Sequence, residues 1–369
     1  MHNLLKTPFF RKFIIAFGVT FLLVSSLAVG VYATMRTWVS APEVAAQQVV
    51  VVQQEPPAQS TSNPSQSPSG SSEEEPAPES EFEGDLPGVL ESVLMDRKPY
   101  FFTFLLFGID TSNQVDAIMV GSIDAMTSDV NLISIPRDTL VDVNRRVRKI
   151  SNSYASGRFG GRDHDSGVNQ VKTEVSRLIG FRPDFYVMAD FEGFERIVDA
   201  IGGITIDIPF HMRNTDPFQN LFIDLLPGEQ LLSGEQALHF ARFRESDSGF
   251  RPITDYQRME NQQHLLAALF NELLSPGTIL RLPEFVRIYT EHVNTDLTYG
   301  EIIWFARRVM ANGLDLSSID THTLPIRGTS GAPYWYEIPD RAGILELVNR
   351  TVNPFQQDII AGMLRIIEP

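Results

Sequence analysis

Several arginines stand at the predicted ends of strands and helices, where a ligand can reach them. Arg137 follows the apolar run Val130–Ile135 across a proline, which predicts a position at the rim of a sheet. Arg242 and Arg244 flank a phenylalanine at the exit of a predicted helix. Planar guanidinium groups chelate phosphate oxygens, so this set indicates a phosphate site. Two other roles stay open: an ion pair between Arg137 and Asp138, and compensation of a helix dipole by the other two arginines.

A polar end on an otherwise apolar helix stripe indicates the same chemistry. Arg258 and Gln262 lie one turn apart in the helix predicted after Thr254, in line with Leu265 and Leu269. Turning an arginine and a glutamine toward a core costs free energy unless a polar or anionic partner meets them. The stripe therefore predicts an anionic ligand near the beginning of this helix.

Two carboxylates lie at neighbouring strand ends and complete the pattern. Asp110 closes the predicted strand Thr103–Ile109, and Asp116 opens the next one six residues later. Hard divalent cations such as Mg²⁺ are held by a few carboxylates, with phosphate oxygens completing the shell. Capping or turn hydrogen bonds within the protein are an equally open alternative. Taken with the arginines, the pair predicts a magnesium-dependent pyrophosphate or phosphodiester pocket.

The composition excludes several classes of site. The 369 residues carry 46 acidic and 30 basic side chains, a formal net charge of −16, which argues against broad binding to nucleic acid. There is no cysteine, so disulfides, thiolate metal sites and a cysteine nucleophile are excluded. The signature spacings of Walker nucleotide sites, Rossmann cofactor sites, zinc proteases and α/β-hydrolases do not occur.

Short apolar strands and amphipathic helices alternate from residue 99 onward. Strands are predicted at 103–109, 117–123, 130–135, 184–188 and 204–208, and helices at 168–179, 191–201, 233–242 and 254–274. This alternation predicts an α/β domain with a central sheet flanked by helices on both faces. We place the catalytic domain at 99–275 and treat 276–369 as its C-terminal part or flank.

The first 98 residues differ in character from the rest. Residues 13–35 contain no charge, and a helix of that length spans roughly 35 Å, enough to cross a bilayer. Basic residues precede this span, so residues 1–12 are predicted to be cytoplasmic and the chain after it external, a single-pass type II membrane protein. A cleaved signal peptide is the alternative, and it exports the same part of the chain. Residues 36–98, rich in Pro, Ser and Glu, are predicted to be a disordered linker.

An ordered series of motifs resembles the LytR-CpsA-Psr family. Any one of them is weak, but together they cover roughly residues 103–274 in the order found in the family. The motifs are Leu105-Leu-Phe-Gly-Ile-Asp110, Val115-Asp-Ala-Ile-Met-Val120, Ile133-Ser-Ile-Pro-Arg-Asp138, Lys149-Ile150 with Tyr154, Val198-Asp-Ala-Ile-Gly-Gly203, Leu226-Pro-Gly-Glu-Gln-Leu-Leu-Ser-Gly-Glu-Gln-Ala-Leu238, Ala241-Arg-Phe-Arg244, Asp255-Tyr-Gln-Arg258 and Gln262-Gln263.

The resemblance implies a mixed central sheet and a Mg²⁺-dependent transferase of the cell wall. Such an enzyme moves a glycopolymer, for example a teichoic acid, from a polyprenyl-pyrophosphate carrier to a peptidoglycan hydroxyl. By motif position Asp110 and Asp116 look like the metal ligands. The residues implied to bind the pyrophosphate are Arg137, Lys149, Arg242, Arg244, Arg258 and Gln262.

Catalytic roles follow from the same positions: they are implied for Arg137, Arg242, Arg244, Asp116 and Asp138. Either aspartate, Asp116 or Asp138, is a candidate acceptor for the proton of the attacking hydroxyl, and the sequence does not choose between them. An apolar pocket for the prenyl chain is expected between sheet and helices, with Phe185, Phe191, Phe194 and Ile197 either lining it or forming ordinary core.

Three positions depart from the family pattern. Gln114 stands where an arginine is usual, Ser151 replaces a common asparagine, and Asn261 replaces a common arginine. The phosphate site is therefore expected to hold one or two fewer cations than usual. A neighbouring arginine (Arg145, Arg146 or Arg148) is a candidate to compensate.

Other functions stay open at this point. A binding module would hold wall polymer or polyprenyl phosphate without turnover, and a pyrophosphatase would use water in place of the sugar hydroxyl. DNA binding is a further alternative because the family's names include transcriptional regulators. The acidic composition and the predicted export oppose it.

Overall fold

The computed structural model describes residues 41–44, 46–52, 90–217, 221–244, 253–273, 293–312, 319–331 and 333–367. The predicted cytoplasmic tail 1–12, the predicted span 13–35 and most of the predicted linker lie outside these residues. Within the described ranges, no helix is both long and apolar enough to cross a membrane.

Strands and helices alternate along the described chain. The strands are β1 (Gln47–Val52), β2 (Leu90–Met95), β3 (Phe101–Ile109), β4 (Val115–Asp124), β5 (Val130–Ser134), β6 (Phe185–Asp190), β7 (Ile204–Ile208), β8 (Met212–Asp216), β9 (Leu221–Leu225), β10 (Gly228–Leu232), β11 (Val293–Thr295), β12 (Asp320–Thr323), β13 (Ile326–Ser330) and β14 (Tyr336–Pro339). The helices are α1 (Ser153–Gly157), α2 (His164–Ile179), α3 (Phe191–Ile201), α4 (Gly234–Arg242), α5 (Asp255–Leu273), α6 (Tyr299–Asn312) and α7 (Arg341–Thr351).

A six-stranded mixed sheet lies at the centre, in the order β11-β6-β3-β4-β5-β12. β3 pairs antiparallel with β4 and parallel with β6, while β5 pairs antiparallel with β4 and parallel with β12. Both faces are covered, so the strands read as nearly continuous apolar runs. The prediction of a mixed sheet flanked by helices is confirmed.

The two faces of the sheet carry different cores because side chains alternate along each strand. Leu105 and Phe107 of β3 pack in a cluster with α2 and α7. On the opposite face Phe102 and Phe104 pack against α6, where the ring of Phe305 meets that of Phe102 edge-on at 5.0 Å between centroids. Phe185 belongs to this second core, so it is a core residue.

A third apolar cluster joins α3, α4 and α5 to the small strand pairs β7–β10 and β8–β9. A capping box opens α4: Ser233 accepts a hydrogen bond from the Gln236 amide, and the Gln236 side chain accepts one from the Ser233 amide. This cap fixes where α4 begins, and therefore where its arginine-bearing end points.

Two stretches of the segment predicted as linker, 36–98, form strands. β1 and β2 pair antiparallel, and Val49 and Met95 are buried in the main core. Residues 53–89 lie outside the described residues. The run of four valines in the sequence of β1 explains the difference, because β-branched residues favour a strand within the surrounding polar composition.

The C-terminal region is an integral part of the domain. β12 adds an edge strand to the central sheet, and Val348 and Phe355 lie fully buried in the main core. β14 also bridges to the loop after β5 through Thr139 and Glu337. Of the two sequence interpretations of residues 276–369, part of the domain or a flank, the described residues support the first.

Candidate functional site

The register between β4 and β5 places an aspartate opposite an arginine. Met119 pairs with Ser134, and the Ile135 amide donates to the Ile118 carbonyl, so continuing the antiparallel register brings position 116 opposite position 137. Arg137 Nη1 accordingly donates to Asp116 Oδ1 at 2.6 Å. The hairpin thus carries an anion–cation pair to one end of the sheet.

Helix α5 adds a buried cation to this pair. Arg258 is 2% exposed, and its guanidinium lies 3.5 Å from Asp116 Oδ1 and 2.8 Å from Asp255 Oδ1. Asp255 also accepts a hydrogen bond from Arg244, which is half-exposed beyond the end of α4. The inward arginine that the helix stripe predicts therefore meets carboxylates of the protein itself.

A second carboxylate lies on the other side of Arg137. Asp138 Oδ1 is 3.0 Å from Lys149 Nζ and 3.8 Å from Arg137 Nε. Lys149 precedes a short 3₁₀ turn, Ile150–Asn152, whose Ser151 amide donates to the Arg137 carbonyl. Five of the sequence-predicted site residues are thus brought into one cluster: Asp116, Arg137, Asp138, Lys149 and Arg258, with Arg244 joined through Asp255.

The cations determine the protonation state of Asp116. Burial alone raises the pKa of this carboxyl, but the charges of Arg258 and Arg137, the hydrogen bond from Arg137 and the charge of Arg244 outweigh it, so its pKa is lowered. Desolvation lowers the pKa of Arg258, and Asp116 and Asp255 oppose that effect. Asp116 is therefore ionised at neutral pH and tied to two guanidinium groups.

Asp110 lies in the turn between β3 and β4 and is already hydrogen-bonded there. Its Oδ1 accepts from the amides of Ser112 and Gln114 at 2.8 Å each, the turn role that the sequence left open. Among the described residues, no group of three or more acidic or histidine side chains gathers as a metal site. Asp110 and Asp116 each have one carboxylate oxygen with no hydrogen-bond partner in the described part of the chain. Carboxylate oxygens are donors that Mg²⁺ prefers, so the donor chemistry fits this ion, and a magnesium site shared by the two aspartates stays a prediction.

Two predicted phosphate ligands make other contacts. The Arg242 guanidinium lies over the ring of Phe191 at 4.5 Å from its centroid. Gln262 donates to the Ala241 carbonyl at 3.4 Å and so ties α5 to α4. Gln262 makes no hydrogen bond to the five-residue cluster among the described residues. Their roles at the pyrophosphate stay predictions.

The arginines expected to compensate for missing cations are placed differently. Arg145 forms a bidentate ion pair with Glu174 of α2, whose side chain is fully buried, and donates to the Lys149 carbonyl. Arg146 lies over the ring of Tyr334. Arg145 is therefore held by a carboxylate of the protein and positions the Lys149 loop, and compensation by any of these arginines stays a prediction.

The sequence reasoning missed two acidic residues of the site. Asp255 had a detectable signal, because it stands three residues before Arg258 on one helix face. Glu337 had none, since it lies far along the chain in a region with no motif. In the structure its amide donates to the Asp138 carbonyl at 3.0 Å, and its carbonyl accepts from the Leu140 amide at 2.8 Å.

The side chain of Glu337 is buried beside the cluster. It is 9% exposed, and its Oε2 has no hydrogen-bond partner among the described residues. Burial, followed by the negative charges of Asp255 and Asp138, raises the pKa of Glu337 to about 7, against the opposing effects of Lys149 and Tyr256. This carboxyl changes charge near neutral pH.

Replacing Glu337 by glutamine is expected to change stability in a pH-dependent way. A raised pKa in the folded state means that folding favours the protonated carboxyl, so stability is lost as pH rises from about 4.5 through about 7. Glu337→Gln removes that loss, and the unfolding free energy should exceed that of the parent by up to about 3 kcal/mol at pH 8.5, with little difference at pH 4.5. Urea unfolding at the two pH values measures this.

The matched control is Glu346→Gln on the exposed side of α7, which should leave the unfolding free energy unchanged at both pH values. A stability difference between Glu337→Gln and the parent that does not vary with pH would contradict the assignment of a raised pKa.

A protein family and several individual proteins are similar to this chain. The LytR_cpsA_psr family model matches residues 62–352. The chain is 29% identical over 278 residues to "Polyisoprenyl-teichoic acid--peptidoglycan teichoic acid transferase TagV" of Bacillus subtilis (strain 168), covering 71% of this chain and 66% of TagV. It is 27% identical over 200 residues to "Regulatory protein MsrR" of Staphylococcus aureus (strain COL), covering 53% of this chain and 56% of MsrR.

A solved structure shares the fold. The crystal structure of B. subtilis TagV matches with a TM-score of 0.56 at 26% identity, covering 69% of this chain and 96% of the crystallised one. The chain spans less than two thirds of the full length of TagV and of MsrR.

Proposed function

The chain belongs to the LytR-CpsA-Psr family, and from that premise we propose that it transfers a wall glycopolymer to peptidoglycan. The proposed donor is the glycopolymer linked to a polyprenyl pyrophosphate, and the acceptor is a peptidoglycan hydroxyl. The name of its relative TagV specifies a polyisoprenyl-linked teichoic acid donor and a peptidoglycan acceptor for that protein, which supports the same classes here.

One observation carries the proposal. Arg137, Lys149, Arg244 and Arg258 converge with their carboxylate partners at one end of the central sheet, from the loop after β5 and from two helices. Guanidinium groups held in place by the fold bind phosphate oxygens bidentately and need little reorganisation when charge develops. A diphosphate is the ligand whose charge and oxygen spacing suit several such groups at once.

In the proposed reaction the acceptor hydroxyl attacks the glycan-proximal phosphorus and polyprenyl phosphate leaves. Arg137 and Arg258 stabilise charge on the non-bridging oxygens, and Lys149 and Arg244 hold the second phosphate. Magnesium, held by Asp110 and Asp116, would neutralise charge on the diphosphate when bound. Arg145 positions the Lys149 loop through the buried Glu174.

The proposal includes the place of the reaction. The uncharged span 13–35 serves as a single-pass anchor with residues 1–12 in the cytoplasm, and the catalytic domain faces outward. Polyprenyl carriers are embedded in the membrane, so an anchor keeps the site within reach of its donor. The prenyl chain would occupy an apolar pocket between sheet and helices.

The test is a transfer assay with the full chain in detergent. A synthetic polyprenyl-pyrophosphate disaccharide, Mg²⁺ and a peptidoglycan fragment should yield labelled acceptor and polyprenyl phosphate in equal amounts. Chelation with EDTA should stop transfer, and Asp110→Asn should raise the Mg²⁺ concentration needed for half-maximal rate by about tenfold, because one of two protein ligands is weakened.

Two outcomes of the same assay decide against transfer. Polyprenyl phosphate released without labelled acceptor would establish a pyrophosphatase instead. Donor that stays intact after prolonged incubation would establish a binding module without turnover.

A further inference from the structure

Two backbone hydrogen bonds, one from the amide of Glu337 and one to its carbonyl, hold this residue beside the site. Its amide donates to the Asp138 carbonyl, and its carbonyl accepts from the Leu140 amide, so β14 follows the loop that carries Arg137. The hydroxyl of Tyr256, at the beginning of α5, lies beside its carboxyl. The side chain therefore lies between that loop and α5, the two elements that supply cations of the cluster.

The other acidic side chains of the site are engaged by cations. Asp116 is paired with Arg137 and Arg258, and the Asp116 pKa is lowered. Asp138 lies 3.0 Å from Lys149, and Asp255 is paired with Arg258 and Arg244. At Asp116 this pairing weakens the carboxylate as a base, because a neighbouring cation favours the ionised form.

Glu337 differs from these aspartates in having no ion pair among the described residues. Its Oε2 is buried and has no hydrogen-bond partner there. A buried polar atom without a partner is uncommon in folded proteins and calls for an explanation, of which a catalytic role is one.

We propose that Glu337 is the general base that takes the proton from the attacking acceptor hydroxyl, an assignment that rests on the proposed transferase function. The acceptor O–H bond breaks and its proton passes to a carboxylate oxygen of Glu337. The hydroxyl oxygen forms a bond to the glycan-proximal phosphorus. The bond from that phosphorus to the bridging oxygen breaks, and the electron pair leaves with polyprenyl phosphate. Glu337 then releases the proton to water.

The strength of this base matches the task. A general base works best when its pKa lies near the working pH, since both its ionised fraction and its basicity are then useful. Burial, followed by the negative charges of Asp255 in α5 and Asp138 in the loop after β5, raises the pKa of Glu337 to about 7, while Lys149 in that loop and the Tyr256 hydroxyl in α5 oppose the rise. Asp116 and Asp138, the two aspartates that the sequence offers for this role, are held by cations instead.

The experiment measures transfer by the full chain, in detergent with Mg²⁺ and the synthetic disaccharide donor, between pH 5.5 and 9. For the parent, kcat should rise with pH through about 7 and then level off. Glu337→Gln should lower kcat about 100-fold at pH 8 and abolish the rise, while KM for the donor changes less than twofold. Glu346→Gln should behave as the parent does.

A second variant tests whether the pH at which kcat rises is set by the ionisation of Glu337. The Tyr256 hydroxyl stabilises the ionised carboxylate of Glu337, so Tyr256→Phe should raise the Glu337 pKa and move the rising limb of the profile to higher pH. A purely structural role of Glu337 would not produce this shift.

Failure of the inference differs visibly from failure of the proposed function. If the parent transfers no glycan, the transferase proposal falls and this assignment with it. If the parent transfers but Glu337→Gln keeps its rate and its pH profile, only the assignment falls. A Glu337→Gln variant that loses donor affinity with kcat unchanged also overturns it, since that result makes Glu337 a binding residue.

Discussion

The Arg137→Ala variant is expected to transfer glycan about 1000-fold more slowly than the parent chain. Arg137 donates to Asp116 at 2.6 Å and lies 3.8 Å from Asp138, so it is positioned between two carboxylates at the end of β5. Removing one preorganised donor from a site where charge develops typically costs 10²–10³ in kcat, about 3–4 kcal/mol. Asp116 would in addition lose one of the two cations that hold it, which is why we expect the upper end of that range.

Kinetics at saturating donor separate catalysis from binding. The loss should fall mainly on kcat, because Arg137 is expected to contact oxygens whose charge grows in the transition state. Arg137→Lys should recover only part of the rate, since an ammonium group cannot chelate two oxygens. Arg196→Ala, on the exposed surface of α3, is the matched control and should transfer normally. Near-normal transfer by Arg137→Ala would remove this residue from the mechanism.

The Arg258→Leu variant should lose about 3 kcal/mol of unfolding free energy at pH 7. The Arg258 side chain is almost fully buried and lies between Asp116 and Asp255. Deleting one partner of a buried ion pair leaves carboxylate charge inside the protein without compensation, which typically costs 3–5 kcal/mol. Arg137 retains its contact with Asp116 and Arg244 retains its contact with Asp255. The expected loss of unfolding free energy therefore lies at the lower end of that range.

The pH dependence of the stability loss in Arg258→Leu identifies the cause of that loss. The depressed pKa of Asp116 contributes stability that is present above its unfolded pKa and is lost as pH falls through the folded value. Much of that contribution comes from Arg258, so the gap between parent and Arg258→Leu should narrow when pH falls from 7 to 3.5. Urea unfolding at both pH values checks this, with Arg196→Leu as the exposed control. An equal gap at both values would indicate a packing defect rather than a lost ion pair.

The cation sites were accessible to sequence reasoning because their signals are local. Arg137 directly follows an apolar strand, and Arg258 interrupts an apolar helix stripe; both patterns can be read within about ten residues. The resemblance to the family added Lys149, which has no such local signal. What the sequence could not supply is the partner of each cation. An inward arginine predicts an anion, but a protein carboxylate such as Asp255 satisfies that requirement as well as a phosphate does.

Glu337 and Arg145 both show that the position of a residue in the sequence does not reveal its electrostatic role. Glu337 reaches the site only because β14 hydrogen-bonds to the loop after β5, a contact across about 200 residues of chain. Arg145 stands close to Lys149 in sequence, yet the buried Glu174 of α2 consumes its charge. In both cases the tertiary contacts, rather than the residue type, determine the electrostatic role.

The sequence alone determined the alternation of strands and helices, the boundaries of helices such as α3 and α4, and the presence of several cations near one end of the sheet. These follow from hydrophobic periodicity and capping, which act over a few residues. The tertiary structure alone decided which acid pairs with which base and which carboxyl is left without a cation. Coulomb energies and desolvation depend on distances and burial across the fold, and no pattern along the chain encodes those distances.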